Sequence, residues 1–340
     1  MTDDHALARD LAAEAGRRLL QLRARGGDPD VLRMAGDRLS HDFLAAELAG
    51  RRPGDVLLSE EGADNPARLT ADRVWIVDPL DGTREFGEAG RTDWAVHVAL
   101  WERGAGDLTV GAVALPAQGK VLGTARPSGP ARAGDAERHR CHNDVAITTS
   151  LSQSRGWQQP TMTGGAEASV TGAAGVADVA GEVRPSDAGG GDPGGGDAGG
   201  GDAGGGDPGG GDAGVSDAGG GQGAPRRVRI VVSRTRAPRF VRYISDRIDA
   251  ELVPLGSAGA KVAAVVAGEA DAYVHGGGFY EWDTAAPVAV ARAAGYHASR
   301  IDGSPLAYNQ PGLLMPDILV CRPALATMLL EAIREVTDAH

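Results

Sequence analysis

An α/β (α+β) protein of two halves is what this sequence predicts, on three observations. Helix-type periodicity alternates with short apolar, β-prone runs over residues 1–126 and again over 226–340. Between those stretches, over residues 127–225, the alternation lapses. The acidic residues with chemical character, Asp78 and Asp81 in the first stretch and Asp283 in the second, fall at element boundaries. We therefore divide the chain into an N-terminal α+β half at 1–126 carrying the acidic site, a low-complexity and disordered insertion at 127–225, and a C-terminal α/β half at 226–340.

Each element has a local reason. Leu7, Leu11, Ala15, Leu19 and Leu22 recur at helical spacing, which predicts a helix over about 4–25 that ends at Gly26-Gly27. A second helix is expected from Ser40, acting as N-cap, to about Leu48, before Arg52-Pro53-Gly54 turns the chain. Val56-Leu57-Leu58 reads as a strand that releases Ser59-Glu60-Glu61-Gly62 at its end. Adjacent glutamates on an extended chain point to opposite sides, so one of the two at most faces inward. Val74-Trp75-Ile76-Val77 delivers the chain to Asp78, and Pro79 is expected to end the strand there. Two strands then flank the Glu102-to-Asp107 turn, and Gly119–Gly123 suggests a third. His97 lies among apolar strand residues and reads as a packed core histidine.

The middle region repeats Asp-(Ala or Pro)-Gly-Gly-Gly with a period of five over 187–221. So few apolar side chains cannot offset the entropy of ordering, so this stretch reads as a flexible linker. Periodicity returns with a strand at Arg229–Val232, followed by Ser233-Arg234-Thr235-Arg236 and a helix from about Pro238 to Asp249. Gly256-Ser257-Ala258-Gly259-Ala260-Lys261 opens another helix, Asp271–His275 is a strand, and Asp283 sits at the start of the next helix, with Pro287 in its first turn. A strand at 317–321 and a helix from Pro323 to about Val336 close the chain.

At 340 residues and 42% hydrophobic the chain can build a core of ordinary size. Its formal charge of −12 argues against a nucleic-acid partner, yet seven of those charges are the aspartates at 187, 192, 197, 202, 207, 212 and 217. What remains is mildly acidic and can hold a local basic pocket. Cys141 and Cys321 suit free thiols rather than a disulfide framework. The sequence begins without a basic-then-apolar leader and contains no membrane-length apolar run, so we expect a cytoplasmic protein with no membrane partner.

The stretch Trp75-Ile76-Val77-Asp78-Pro79-Leu80-Asp81-Gly82-Thr83 carries the most specific signal: two hard oxygen ligands beside turn and helix-start residues, where a cation and a phosphate can sit side by side. It resembles the metal-binding signature of the lithium-sensitive, magnesium-dependent phosphatases of the inositol monophosphatase superfamily. Trp282-Asp283-Thr284-Ala285-Ala286 resembles that superfamily's second signature. Thr83-Arg84-Glu85-Phe86 and Ser233-Arg234 are similar to the 3'(2'),5'-bisphosphate nucleotidase branch. Ala35-Gly36-Asp37 resembles the family's Ala-Asp element, and Gly256–Lys261 its Gly-Ser-Ser-x-Lys with one extra residue before the lysine. The family's upstream Lys-x-Asp and Ser-Pro-Val-Thr elements have no counterpart here.

The resemblance implies the layered sugar-phosphatase fold, inositol monophosphatase-like, with the functional site between the two halves, and two or three Mg²⁺ ions. It implies that Glu60, Asp78 and the Leu80 carbonyl hold one cation, that Asp78, Asp81 and Asp283 hold another, and that Thr83 and Glu60 orient the attacking water. Gly82 and Thr83 would bind the scissile phosphate, Ser233, Arg234 and Lys261 the remainder of a small phosphate ester, and Asp37 would support the site from behind. Arg234 leads among the candidates for a second phosphate, with Lys261 and Arg236 behind it, because guanidinium matches phosphate oxygens. The implied substrate is 3'-phosphoadenosine 5'-phosphate. Inositol monophosphatase and fructose-1,6-bisphosphatase activities share the same metal ligands, and a non-catalytic sensor is the alternative of a different class.

Overall fold

A computed structural model describes residues 3–125, 145–148, 226–235 and 237–338. All of them belong to one compact unit formed by 1–156 together with 225–340. The glycine–aspartate repeat, Cys141 and Arg236 lie outside the described residues.

Helices α1 (Asp4–Ala24) and α2 (Pro29–Arg51) lead into β1 (Val56–Ser59), a 3₁₀ turn at Pro66–Leu69 and β2 (Arg73–Asp81). After α3 (Thr83–Gly87) come β3 (Ala95–Glu102), β4 (Asp107–Leu115), β5 (Lys120–Thr124) and β6 (Val145–Thr148). These six strands form one sheet in sequence order, in which only the β1–β2 pair is parallel. The second stretch supplies β7 (Arg229–Ser233), α4 (Arg239–Arg247), β8 (Glu251–Leu255), α5 (Ala258–Val266), β9 (Ala272–His275), β10 (Phe279–Tyr280) and α6 (Glu281–Ala293). It ends with β11 (His297–Ser299), β12 (Leu314–Met315), β13 (Ile318–Cys321) and α7 (Pro323–Asp338). A second sheet has the order β11-β13-β9-β7-β8, and β10 pairs with β12.

Period-two alternation in β2 explains the layering. Trp75 and Val77 pack with Leu7, Leu11, Leu19 and Leu44 of α1 and α2 on one face, while Val74 and Ile76 meet α5 and α6 on the other. The second sheet does the same: Val231, Tyr273 and Val320 face α5 and α6, whereas Ile230, Val232 and Leu319 pack with α4 and α7. The result is five layers, with α5 and α6 as the apolar filling between two sheets.

Three elements differ from the sequence reading, each for an identifiable reason. Helix α2 does not start at Ser40; it starts at Pro29, because Asp28 accepts the N–H groups of Asp30 and Val31 and Pro29 needs no donor at the first position. Asp37 therefore lies on a helix rather than in a turn. Strand β2 continues through Pro79 to Asp81, since the β2–β3 register slips between Asp78 and Asp81 and the missing N–H falls in that irregularity. Pro287 lies in the second turn of α6, so the carbonyl of Asp283 loses its helical donor.

Candidate active site

The end of β2, the start of α6 and the turn after β7 enclose a cleft of about 590 Å³. On its floor Asp78 is buried, with Oδ1 accepting the N–H of Leu80 at 3.0 Å and Oδ2 buried without a hydrogen-bond partner. Burial, then the charges of Asp81, Glu60 and Asp283, hold its carboxyl well above the usual range. Asp81 Oδ2 accepts the N–H of Gly259 at 2.8 Å, and burial pushes this carboxyl up to about 6 against the opposing pull of Lys261. Asp283, at the third position of α6, accepts the N–H of Tyr280 at 2.6 Å; burial and Asp81 raise it to about 6. Glu60 sits in the turn after β1 and keeps an exposed edge; partial desolvation in the cleft, then the nearby charges of Asp283, Asp37 and Asp81, push it up to about 8.

The chain leaves Asp81 through Gly82 in a left-handed conformation, φ 82°, and a Cβ there would stand 3.0 Å from that of Ser257. That sharp exit aims Thr83 back at the cleft. Its Oγ1 donates to the Leu80 carbonyl at 2.9 Å and lies 3.3 Å from Asp37 Oδ1. Burial and the charge of Glu61 raise Asp37 to about 7.

His97 combines the core role expected from its apolar neighbours with a place at the centre of the site. It pairs with Asp78 in the β2–β3 register; its Nδ1 donates to the Trp282 carbonyl at 3.2 Å and its Nε2 lies 3.2 Å from Asp81 Oδ2. Burial lowers its pKa to about 4, so the ring is neutral. Donor atoms of Asp78, Asp81 and His97 all lie within 4.8 Å of one another. The signal available in the sequence was its alternation with Ala95 and Ala99, small residues that share its face toward α5 and α6.

The second-half residues separate. Ser233 and Arg234 line the cleft, and the Arg234 guanidinium contacts Glu85 at 2.7 Å and Glu88 at 2.8 Å. Lys261 is buried, donates to the carbonyl of Gly256, which lines the cleft, and lies 5.3 Å from the centre of the Tyr273 ring; burial lowers it to about 8 against the opposing pull of Asp81, Glu85 and Asp283. A knot of buried polar groups supports the Asp283 helix. Arg68 contacts Asp64 at 2.6 Å and the Gln310 carbonyl at 2.8 Å, while Glu281 accepts the N–H groups of Asn309 at 2.6 Å and Gln310 at 2.8 Å.

A group of carboxylates this crowded cannot all ionise without positive charge among them, and Asp78 Oδ2 is an unpaired buried acceptor. Oxygen donors of this kind fit hard divalent cations held between Glu60, Asp78, Asp81 and Asp283.

With fold and site in view, the chain belongs to the inositol monophosphatase family, whose model matches residues 7–173 and 224–338. The family is one of metal-dependent phosphatases. Among individual relatives, a 3'-phosphoadenosine 5'-phosphate phosphatase of Mycobacterium leprae is 40% identical over 335 residues, covering 98% of this chain and 94% of the relative. A phosphatase of the same description from Mycobacterium bovis is 39% identical over 327 residues, covering 95% and 90%. Among solved structures, CysQ from Bacteroides thetaiotaomicron shares the fold with TM-score 0.60 and 24% identity, over 94% of this chain and 97% of that one. Inositol monophosphatase II from Staphylococcus aureus does so with TM-score 0.59 and 18% identity, over 96% and 93%.

Proposed function

We propose that this phosphomonoesterase hydrolyses 3'-phosphoadenosine 5'-phosphate to AMP and phosphate with Mg²⁺, and that the reaction takes place at the carboxylate cluster. The observation that carries the reading is the convergence of Asp78, Asp81 and Asp283 on one cleft floor, with Asp78 Oδ2 buried and unpaired. The near full-length similarity to two phosphatases of that description directs the choice of substrate.

In this reading Glu60, Asp78 and the Leu80 carbonyl hold one Mg²⁺, and Asp78, Asp81 and Asp283 hold a second. Bound there, the ions lower the pKa of the attacking water and offset charge developing on the leaving oxygen. The chain's own groups do the rest. Thr83 has its hydroxyl proton directed to the Leu80 carbonyl, its nearer acceptor, which leaves a lone pair to accept from water and aim it, with Glu60, at phosphorus. Backbone N–H groups of Gly82 and Thr83 bind the phosphate oxygens. Ser233 and Arg234 form the wall along which the nucleoside lies, and Lys261 supports that wall from behind. No helix among the described residues is long and apolar enough to cross a membrane, and we place the activity in the cytoplasm.

The test is phosphate release from 3'-phosphoadenosine 5'-phosphate, inositol 1-phosphate and fructose 1,6-bisphosphate, side by side, with Mg²⁺. The expected result is the largest kcat/KM for the nucleotide. A preference for inositol phosphate would overturn the substrate, Mg²⁺-dependent release from any of the three would exclude a non-catalytic sensor, and absence of release from all three would contradict the reading.

A further inference from the structure

Two cationic side chains among the described residues line the cleft, Arg84 and Arg234. They are not equivalent. Arg234 donates Nη2 to Glu85 and to Glu88, and its Nε is 3.2 Å from the same Glu85 oxygen. Two carboxylates thus face one guanidinium, and Glu85, which is buried, cannot release it to solvent without becoming an unpaired buried charge. Arg23 fixes this arrangement from beneath, donating to the carbonyls of Glu88 and Arg91 and lying over the Phe86 ring.

Arg84 follows Thr83 directly and is exposed along the same cleft. Among the described residues no carboxylate oxygen comes within 4.0 Å of it, although Glu88 is close enough to feel its charge. The other charged residues among the described ones that line the cleft are acidic: Glu60, Asp78, Asp81, Glu85 and Asp283. A substrate phosphate bound away from the cations brings roughly −1.5 to −2 charges into this acidic wall. It needs a cation whose charge is not already matched, set just beyond the residue that holds the scissile phosphate.

We propose that Arg84 reads the second phosphate of a bisphosphorylated nucleotide, and so sets the preference for bisphosphates over monophosphates at this site. The inference rests on the nucleotidase reading and deepens it. A guanidinium offers paired N–H groups in one plane, matched to two phosphate oxygens, which a lysine ammonium does not. The contact exists in ground and transition states alike, so its loss falls on KM.

The experiment compares adenosine 3',5'-bisphosphate with adenosine 3'-monophosphate, which differ by the 5'-phosphate alone, in wild type, Arg84→Ala, Arg84→Lys and Arg234→Ala. The quantity read is the ratio of the two kcat/KM values. Arg84→Ala is expected to lower that ratio at least about tenfold, or about 1.4 kcal/mol, through KM for the bisphosphate, with Arg84→Lys between it and wild type. Arg234→Ala is expected to move the ratio less. A wild type that prefers the bisphosphate and an Arg84→Ala variant that keeps the same preference would overturn the role of Arg84 alone. A wild type indifferent to the second phosphate would overturn the nucleotidase reading and this inference with it. Should the alanine variant lose its melting transition, Arg84→Lys and Arg84→Gln carry the same comparison.

Discussion

Asp81 Oδ2 accepts the backbone N–H of Gly259 at 2.8 Å, a bond that joins positions 178 residues apart. It fixes one site carboxylate from the first half of the chain to the first turn of α5 from the second. The approach is close because residue 259 has no side chain: a Cβ there would lie 2.2 Å from His97 Nε2 and 3.0 Å from the Ala95 Cβ.

Gly259→Ala should therefore push His97 and Asp81 apart. We expect a loss of about 1–3 kcal/mol in stability, typical of overpacking, together with a lower kcat. Thermal unfolding and steady-state kinetics check both. Unchanged melting and turnover would mean that the close approach has no energetic consequence.

The acidic floor makes stability depend on pH in a direction opposite to that of a salt-bridged carboxylate. Asp81 and Asp283 at about 6, Asp37 at about 7 and Glu60 at about 8 are raised above their unfolded values. The folded state without metal thus binds more protons than the unfolded chain, and stability present near pH 4 is lost as pH rises through about 6 to 8. Cations remove that repulsion. The rise in Tm on adding Mg²⁺ to chelator-treated protein should grow between pH 5 and about 8, and calorimetry at several pH values measures it. A rise of the same size across that range would contradict the cluster as the metal site.

Arg68 is 1% exposed and ties the 66–69 turn to Asn309 and Gln310, which in turn hold Glu281 two residues before Asp283. Arg68→Ala removes buried packing and leaves the Gln310 carbonyl and the Asn309 side chain short of partners. We expect a loss of roughly 2–4 kcal/mol, readable by denaturant unfolding. A loss under about 1 kcal/mol would show that the knot is not a support for α6.

Joining residue 186 to residue 222 should leave kcat/KM and Tm nearly unchanged, because the removed repeat has almost no apolar side chains to bury. A marked fall in either quantity would give the repeat a structural role.

What the sequence disclosed follows from distance along the chain. Asp78, Leu80, Asp81, Gly82 and Thr83 are contiguous, so their joint chemistry could be read directly, and the alternation of β2 already implied burial on two faces. Glu60 and Asp283 needed the resemblance to join them. His97 was legible as a core residue but not as a neighbour of Asp81, because its place depends on the β2–β3 register, which slips beside Pro79. The partners of Arg234 were hidden for the same reason: Glu85 is 149 residues away. Lys261 lies one turn into α5, and its bond to the Gly256 carbonyl follows from the helix start at Ser257, which the sequence marks only as a cap. The early start of α2 was available in Asp28-Pro29, where a cap and a first-position proline outweigh Ser40.

The central claim is that Asp78 serves both cations of a Mg²⁺-dependent phosphatase, and the most direct measurement is phosphate release from 3'-phosphoadenosine 5'-phosphate by Asp78→Asn beside wild type, over a Mg²⁺ titration. No neighbour can replace a shared carboxylate, so the account predicts turnover in wild type that requires Mg²⁺, and a folded variant whose kcat falls by several orders of magnitude, or several kcal/mol of barrier. A folded Asp78→Asn that kept more than about a tenth of wild-type kcat at saturating Mg²⁺, a barrier change below about 1.4 kcal/mol, would contradict it.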